Sequence, residues 1–187
     1  MSAQLARKLF TVDDCYKMAD VGILSPGERV ELIRGEILVM SPIGPRHGTA
    51  VDRTTREFVK LAGDTAIVRT QGSVVLDRFA APQPDLALLR PKEDEYVTRN
   101  PAGADILLIV EVADSSLEYD STVKLGLYAI LGIPEYWVAD LKNDRLLVYS
   151  EPKGDSFLTE KTLHRGDTIA PILLLPDCPM PVDLLLP

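Results

Sequence analysis

Residues 104–114 read ADILLIVEVAD, and this stretch decides the predicted fold. Its apolar residues are consecutive rather than alternating, which is typical of a strand buried on both faces of a sheet. Glu111 stands near the end of the apolar run. An ionised carboxylate in a buried strand is unfavourable unless it is paired or binds a metal, so Glu111 is the first candidate site residue. The alternative is that Glu111 points outward at the end of the strand.

The segments on either side of this strand predict helices and further strands. Helical spacing of apolar residues predicts one helix over 46–61, closed by Gly63, and another over 117–131. A two-residue period predicts a strand over 66–77, and a second strand, DLALLR, begins at Asp85. We expect these two strands to pair.

The outer parts of the chain add smaller elements. A cap-like Thr11 predicts a short N-terminal helix, and VELIRGEILVM over 30–40 predicts a hairpin. Strands are predicted over 135–140, 145–150 and 157–163. The sequence therefore predicts an α/β fold with a mixed sheet. We expect a single domain over 1–187, with its core at about 30–165 and a peripheral Pro-rich C-terminal arm.

Composition and length agree with one globular domain. The chain has 187 residues, of which 46% are hydrophobic and 26% are charged. No apolar run is long enough to span a membrane, and the N-terminus lacks the apolar core of a signal peptide. A cytoplasmic location is therefore expected. Cys15 and Cys178 stand far apart, which excludes a zinc knuckle and argues against a disulfide framework; we expect small, buried or half-buried side chains.

The charge of the chain argues against a general affinity for nucleic acid. The formal net charge is −8, opposite to the basic surface that usually binds phosphates. A local row of cations would still be sufficient, because net charge sums over the whole surface. Such a row is present at Arg46, Arg53, Arg56, Lys60 and Arg69. The simpler interpretation is the solvated face of a helix.

Asp85 is the second candidate site residue because it begins an apolar strand. If its strand lies beside that of Glu111, two carboxylates converge on one point and suit Mg²⁺. Such an ion polarises a phosphoryl oxygen and lowers the pKa of a bound water. The alternative for Asp85 is ordinary turn chemistry, since it follows a proline.

Lys124 is the candidate cation of the site. It lies four residues beyond Asp120 in the predicted helix, so both share one face. A lysine stem can lie along apolar surface and bring its ammonium group within about 5 Å of a Glu111 or Asp85 oxygen. The alternative is an exposed ion pair of Asp120 and Lys124, which contributes only a few tenths of a kcal/mol.

Several of these residues carry a family resemblance. They are Pro84-Asp85, Glu111-Val112-Ala113, Asp114-Ser115-Ser116, Asp120, Lys124, Tyr128, Gly132-Ile133-Pro134-Glu135-Tyr136-Trp137 and Asp140, with Glu31 to Glu36, Ser41-Pro42, His47 and Gln71 upstream. With them the chain resembles the Uma family of restriction-endonuclease-like proteins, which is assigned to the PD-(D/E)XK nuclease superfamily. The resemblance covers most of the chain from about residue 30.

The resemblance implies a restriction-endonuclease-like core of a helix, three strands, a helix and a strand. It also implies that Asp85 and Glu111 bind Mg²⁺ or Mn²⁺. The superfamily motif expects a lysine two residues after Glu111, where this chain has Ala113. Related sequences suggest that Lys124 has taken over that role. Accessory roles are implied for four residues: Glu31, His47, Gln71 and Asp120.

Three functions remain open at this point. The leading hypothesis is a Mg²⁺-dependent endonuclease that hydrolyses DNA, with Lys124 assisting the attacking water. The second is a binding or regulatory module that keeps the nuclease fold without efficient cleavage. The third is a metal-dependent phosphohydrolase that acts on small substrates, which the negative charge would permit. Cleavage of both strands of a duplex uses two sites, so a homodimer is expected.

Overall fold

The structure is a computed structural model that describes residues 7–173 and 179–187. The helices are α1 (Val12–Asp20), α2 (Pro45–Ala62) and α3, which joins Leu117–Tyr119, Asp120–Lys124 and Leu125–Ile130. The strands are β1 (Val30–Ile33), β2 (Glu36–Val39), β3 (Ile67–Thr70), β4 (Leu86–Leu89), β5 (Ile106–Ala113), β6 (Glu135–Asp140), β7 (Arg145–Lys153), β8 (Ser156–His164), β9 (Thr168–Ile169) and β10 (Met180–Pro181). Cys178 lies outside the described residues, and Cys15 is half-buried.

The main sheet has six strands in the order β3-β4-β5-β6-β7-β8. β5 and β6 are parallel and the other neighbouring pairs are antiparallel, so the predicted mixed sheet is confirmed. α2, β3 to β5, α3 and β6 follow one another in the order that the sequence predicts. None of the described helices is long and apolar enough to cross a membrane.

The predicted N-terminal hairpin is confirmed as β1 and β2. Its turn is Arg34-Gly35, and both residues have positive φ, 51° and 80°. Two positive φ values match the right-handed twist of the flanking strands, and glycine adopts them without steric strain. The hairpin carries Glu31 on β1.

Both faces of β5 are buried, as its apolar run predicts. Val110 and Val112 pack in a cluster with Phe58 of α2, whose ring centroid lies 5.8 Å from that of Trp137. Ile109 and Ala113 belong instead to the cluster that contains Tyr128 of α3. Because strand side chains alternate between faces, Glu111 lies on the α3 face of the sheet.

Two local features differ from the prediction. The strand expected over 66–77 ends at Thr70, because Gln71 has a φ of 50° and Gly72 follows, which turns the chain out of the sheet. Leu76 then forms a loop contact, donating its N–H to Ala80 O. The second difference lies in α3, where Asp120–Lys124 is a π-helical segment. Such segments are frequent at functional sites.

Candidate active site

The pairing of β4 with β5 brings the two predicted carboxylates together. Leu86 is opposite Val110, which places Asp85 at the level of Glu111. The backbone N–H of Val112 donates to Asp85 Oδ2 at 2.9 Å, and that of Asp85 lies 3.4 Å from Glu111 Oε2. Asp85 is 6% exposed and Glu111 is 3% exposed, so neither is a surface carboxylate.

Lys124 reaches the same point from α3. Its Nζ lies 2.9 Å from Glu111 Oε1, 3.0 Å from Glu31 Oε1 and 4.0 Å from Asp120 Oδ1. The predicted proximity of Lys124 to Glu111 is therefore confirmed. The exposed ion pair considered as its alternative is wrong, because Lys124 is only 4% exposed and Asp120 is also buried.

Glu31 and Tyr128 complete the surroundings of Lys124 and Glu111. Glu31 Oε1 also accepts a hydrogen bond from the backbone N–H of Gln83 at 2.8 Å, which fixes its carboxylate. The Tyr128 hydroxyl donates to Glu111 Oε1 at 2.9 Å. Sequence reasoning gave Tyr128 no role, although it lies one helical turn beyond Lys124 and so shares its face.

His47 and Gln71 contact Asp85. His47 Nε2 lies 3.0 Å from Asp85 Oδ2, and Gln71 Nε2 lies 3.4 Å from Asp85 Oδ1. The hydrogen bond to Asp85 raises the pKa of His47, an effect that partial burial opposes. The accessory residues implied by the resemblance are thus brought together by the fold. Their roles stay predictions.

In this cluster the acidic side chains outnumber the ammonium group of Lys124. Burial raises the pKa of Glu111 well above its ordinary value, and the carboxylates of Asp120, Asp85 and Glu31 raise it further against the opposing effect of Lys124. Burial also raises the pKa of Asp120. Burial lowers the pKa of Lys124, but Glu111, Glu31 and Asp120 together hold it above its ordinary value. Lys124 therefore stays protonated, while burial and mutual repulsion favour uptake of a proton by Glu111 and Asp120.

The cluster forms one side of a cavity of about 410 Å³. Among the described residues that line it, Arg29 and Lys124 are the cations, and the acids are Glu31, Asp85, Glu111, Asp114 and Asp120. The lining also includes the end of β2 and the loop to α2, residues 38–44. Acidic and apolar side chains therefore both line the cavity.

Two polar atoms at this cavity have no hydrogen-bond partner among the described residues. They are His47 Nδ1 and the Tyr119 hydroxyl, and both are buried. Burial, and then the charge of Glu31, raises the pKa of Tyr119 to about 12, so the phenol keeps its proton at neutral pH. A buried unpaired donor is unfavourable by about 1–3 kcal/mol unless something bonds to it. Sequence reasoning did not single out Tyr119.

The site fits a divalent cation by charge and by ligand type. In the described part of the chain, no group of three or more His, Cys, Asp or Glu side chains is arranged to hold a metal ion. Mg²⁺ does not require such a group, because it keeps several waters and binds proteins through one or two carboxylates. Asp85 Oδ1 and Glu111 Oε2 each have only a 3.4 Å contact, and so are the oxygens of this pair least engaged by other donors.

The predicted basic residues lie on the surface, outside the cavity lining. Arg46 pairs with Asp144 at 3.4 Å, and Lys60 pairs with Glu57 at 2.9 Å. Arg69 is separate from the helix face, because it lies on β3 and its guanidinium is 5.9 Å from the Tyr96 ring. The predicted basic face of α2 consists of the other four residues, Arg46, Arg53, Arg56 and Lys60, which are all exposed.

Comparison with known proteins shows the fold and the family of this chain. The chain is similar to a protein from Anabaena variabilis whose crystal structure is described as that of "a putative nuclease belonging to DUF820", with 13% identity over 94% of this chain and 97% of that chain and a TM-score of 0.74. The class of protein is thus a nuclease-like α/β fold. Residues 12–183 match the Uma2 family, described as "Putative restriction endonuclease", and the chain belongs to this family. No curated protein sequence matches it significantly.

Proposed function

We propose that this chain is a divalent-metal-dependent endonuclease that hydrolyses phosphodiester bonds in DNA. The observation that carries the proposal is a cluster of four buried acidic side chains at the cavity. Glu31, Glu111 and Asp120 share the ammonium group of Lys124, and the backbone N–H of Asp85 contacts Glu111. Buried charges are stable only when paired or bound to a metal. Membership of the Uma2 family supports the same class of reaction.

Asp85 and Glu111 would hold Mg²⁺ or Mn²⁺ through the oxygens that other donors engage least, Asp85 Oδ1 and Glu111 Oε2. When bound, the ion polarises a phosphoryl oxygen and lowers the pKa of water, which supplies a nucleophile at neutral pH. The hydrogen bonds from Val112 N–H and His47 to Asp85 Oδ2 orient that carboxylate. Such supporting contacts fix the direction of a ligand and tune its basicity.

Lys124 would supply the positive charge that the superfamily motif places on its lysine. The position of that lysine is occupied by Ala113, which is buried in the cluster around Tyr128. Since the pKa of Lys124 is raised by Glu111, Glu31 and Asp120, its ammonium group persists over the physiological pH range. A fixed cation beside the reacting group stabilises the negative charge that develops in the transition state.

Tyr119 and His47 line the cavity in which the phosphoryl group would lie. Each has a buried polar atom at the cavity with no partner among the described residues. The Tyr119 hydroxyl remains a donor at neutral pH because its pKa is about 12.

A second candidate function is a binding module that keeps the fold without efficient cleavage. It is favoured by one observation, that Glu111 Oε1 already accepts from both Lys124 and Tyr128. A third, hydrolysis of small phosphorylated substrates, is favoured by the acidic lining of the cavity. Both would use the same residues, so only activity separates them.

The test combines metal binding with cleavage. Calorimetry with Mn²⁺ should give binding to the parent chain and to Asp144→Asn, whose carboxylate is exposed, but not to Asp85→Asn or Glu111→Gln. Cleavage of DNA in Mg²⁺ or Mn²⁺ should follow the same pattern. Metal binding without cleavage of any DNA would favour the binding module, and turnover of p-nitrophenyl phosphate alone would favour the small-substrate enzyme. Unchanged Mn²⁺ affinity in both site variants would contradict the metal assignment.

The basic face of α2 is proposed to border the path of the nucleic acid. Reversal of Arg53 and Arg56 to Glu should weaken DNA binding and reduce the dependence of the binding constant on salt concentration by about two phosphate contacts. Arg90→Glu is the control, since Arg90 is exposed and follows β4. Equal affinity and an equal salt slope in the double variant would show that the basic face of α2 is solvated and does not contact the nucleic acid.

The predicted homodimer would supply a second site for the second strand of a duplex. Sedimentation velocity at micromolar concentration measures the oligomeric state directly. A monomer that still cleaves would remove the dimer from the proposal without affecting the site.

A further inference from the structure

Arg29 is a second cation at the cavity, and sequence reasoning gave it no role. It directly precedes β1, is half-buried, and lines the same cavity as the carboxylate cluster. No Asp or Glu oxygen in the described part of the chain lies within 4.0 Å of its guanidinium. The charge of Arg29 is therefore not paired with a carboxylate of the described residues.

The register of the β1–β2 hairpin shows which way Arg29 faces. Glu31 lies opposite Leu38, and the N–H of Met40 donates to Arg29 O at 2.9 Å, so the same register continues to Arg29. Side chains alternate between the two faces of a strand, so Arg29 shares the face of Glu31. That face is directed toward the cluster, because Glu31 Oε1 lies 3.0 Å from Lys124 Nζ. Two strand residues span about 7 Å, which places Arg29 beside the cluster rather than within it.

The charge of Lys124 is already shared among carboxylates. Its Nζ contacts Glu111 Oε1 at 2.9 Å and Glu31 Oε1 at 3.0 Å, and the residue is only 4% exposed. A phosphate of a substrate would bring a further negative charge to a cavity that five acidic side chains already line. Burial of that charge is unfavourable unless a cation pairs with it.

Arg29 has the chemistry that such a phosphate requires. Arginine presents a planar fork of N–H donors that matches two phosphate oxygens, and these charge-assisted hydrogen bonds are stronger than bonds between neutral groups. Lys124 could remain with its carboxylates while the guanidinium of Arg29 binds the anion. The two cations of the cavity would thus have different partners.

We propose that Arg29 binds a phosphate of the substrate in this cavity. Asp85 and Glu111 would bind the metal ion, and Arg29 would offset the charge of the phosphate. The inference rests on the proposed function for the identity of the substrate, a phosphodiester of DNA. Orthophosphate is the simplest probe of the same contact.

The first experiment measures binding of DNA. A fluorescent DNA duplex is titrated in Ca²⁺ with the parent, Arg29→Gln and Arg29→Lys. Arg29→Gln should weaken binding by about 10- to 100-fold, the loss expected for a hydrogen bond to a charged group. Arg29→Lys should recover part of that loss, because lysine keeps the charge without the fork. The matched control is Arg90→Gln at an exposed residue outside the cavity lining, and it should bind DNA as the parent does.

The second experiment tests whether Arg29 contacts the phosphate directly. Each phosphate near the cleavage position is replaced in turn by a methylphosphonate, which has no charge. At the phosphate that Arg29 contacts, the replacement should weaken binding to the parent but not to Arg29→Gln, because both changes remove one interaction. Additive losses at every position would overturn the inference, since they are the result expected if Arg29 acts only on the structure of the hairpin.

The outcomes separate this inference from the proposed function. Binding that depends on Arg29, without cleavage of DNA, would contradict the endonuclease and support the phosphate contact. Cleavage by the parent with unchanged DNA binding in Arg29→Gln would overturn the inference and leave the endonuclease intact. If the parent binds no DNA, calorimetry with orthophosphate in Mg²⁺ decides. Weaker phosphate binding in Arg29→Gln would then support the contact, and equal or absent phosphate binding would overturn it.

Discussion

Two buried carboxylates on neighbouring strands differ in how they are satisfied. Glu135 begins β6, and each of its oxygens accepts one hydrogen bond at 2.8 Å, from Trp137 Nε1 and from Ile172 N–H. Glu111 on β5 has two donors on Oε1 but only a 3.4 Å contact on Oε2. Glu111 also lines the cavity, whereas Glu135 does not.

The difference separates a structural carboxylate from one that is available for chemistry. Glu135 has a donor for each oxygen, and Lys161 is the only charged group that shifts its pKa appreciably. The pKa of Glu111 is raised by burial and also by three other carboxylates. Of these two carboxylates, Glu111 is the one whose pKa is affected by neighbouring acids, and a cation bound there would relieve their repulsion.

The largest expected effect is on turnover at Glu111. Glu111→Gln should lower kcat by about 10³-fold or more, the scale on which loss of one preorganised electrostatic group acts. Its Tm should be unchanged or higher, because the variant relieves repulsion among the buried carboxylates. Cleavage assays and thermal unfolding measure the two quantities.

Glu135→Gln is the same substitution at the structural carboxylate, and it should affect stability rather than turnover. It should leave kcat within about twofold. It should lower the free energy of unfolding by about 1–3 kcal/mol, because the side-chain NH₂ of glutamine would face an N–H donor where glutamate presents an oxygen. For a chain of this size, that corresponds to a decrease in Tm of roughly 2–4 °C per kcal/mol. Loss of turnover in Glu135→Gln with normal folding would break the comparison.

The second effect is at Lys124. Lys124→Met should lower kcat by about 10²-fold or more and destabilise the metal-free chain by about 3–5 kcal/mol, because Glu31, Glu111 and Asp120 lose their shared cation. Metal binding should be retained, so Mn²⁺ should raise the Tm of this variant more than that of the parent. Lys142→Met, on the exposed turn before β7, is the control. Normal cleavage by Lys124→Met would remove Lys124 from the mechanism.

The third prediction concerns how the contribution of Glu135 to stability depends on pH. Burial raises the pKa of Glu135 above its ordinary 4.5, and its two hydrogen bonds oppose the shift. Between the unfolded and the folded pKa the native state binds the extra proton, so stability falls as pH rises through this window. The stability advantage of the parent over Glu135→Gln should therefore be greatest near pH 4 and decrease above it. Denaturant titrations at several pH values measure the trend, and an advantage that grows with pH would contradict the sign.

The smallest effect is expected at Tyr128. Tyr128→Phe removes the hydroxyl that donates to Glu111 Oε1 without changing the ring, which packs 4.9 Å from Tyr136. It should lower the free energy of unfolding by about 1 kcal/mol and change kcat by less than about tenfold. Calorimetry with Mn²⁺ should give equal or tighter binding, since one competitor for Glu111 is removed. A large loss of turnover would assign Tyr128 to the reaction itself.

Periodicity along the chain was sufficient for most of the fold. The uninterrupted apolar run predicted β5, and helical spacing predicted α2 and α3, because burial repeats with the geometry of each element. The end of β3 at Thr70 was missed, since the apolar residues that continue to Leu76 serve a loop rather than a strand. The π-helical segment in α3 leaves no comparable pattern in the sequence.

The sequence by itself determined that Asp85 and Glu111 are carboxylates in apolar strands, and the spacing from Asp120 together with the family resemblance pointed to Lys124. Only the tertiary structure decided that Glu31 shares Lys124 with Glu111, and that the Tyr119 hydroxyl has no hydrogen-bond partner among the described residues. These facts depend on contacts between residues that are distant in the chain. Local propensity constrains each element separately, whereas the distances between elements are set by packing of the whole sheet with its helices.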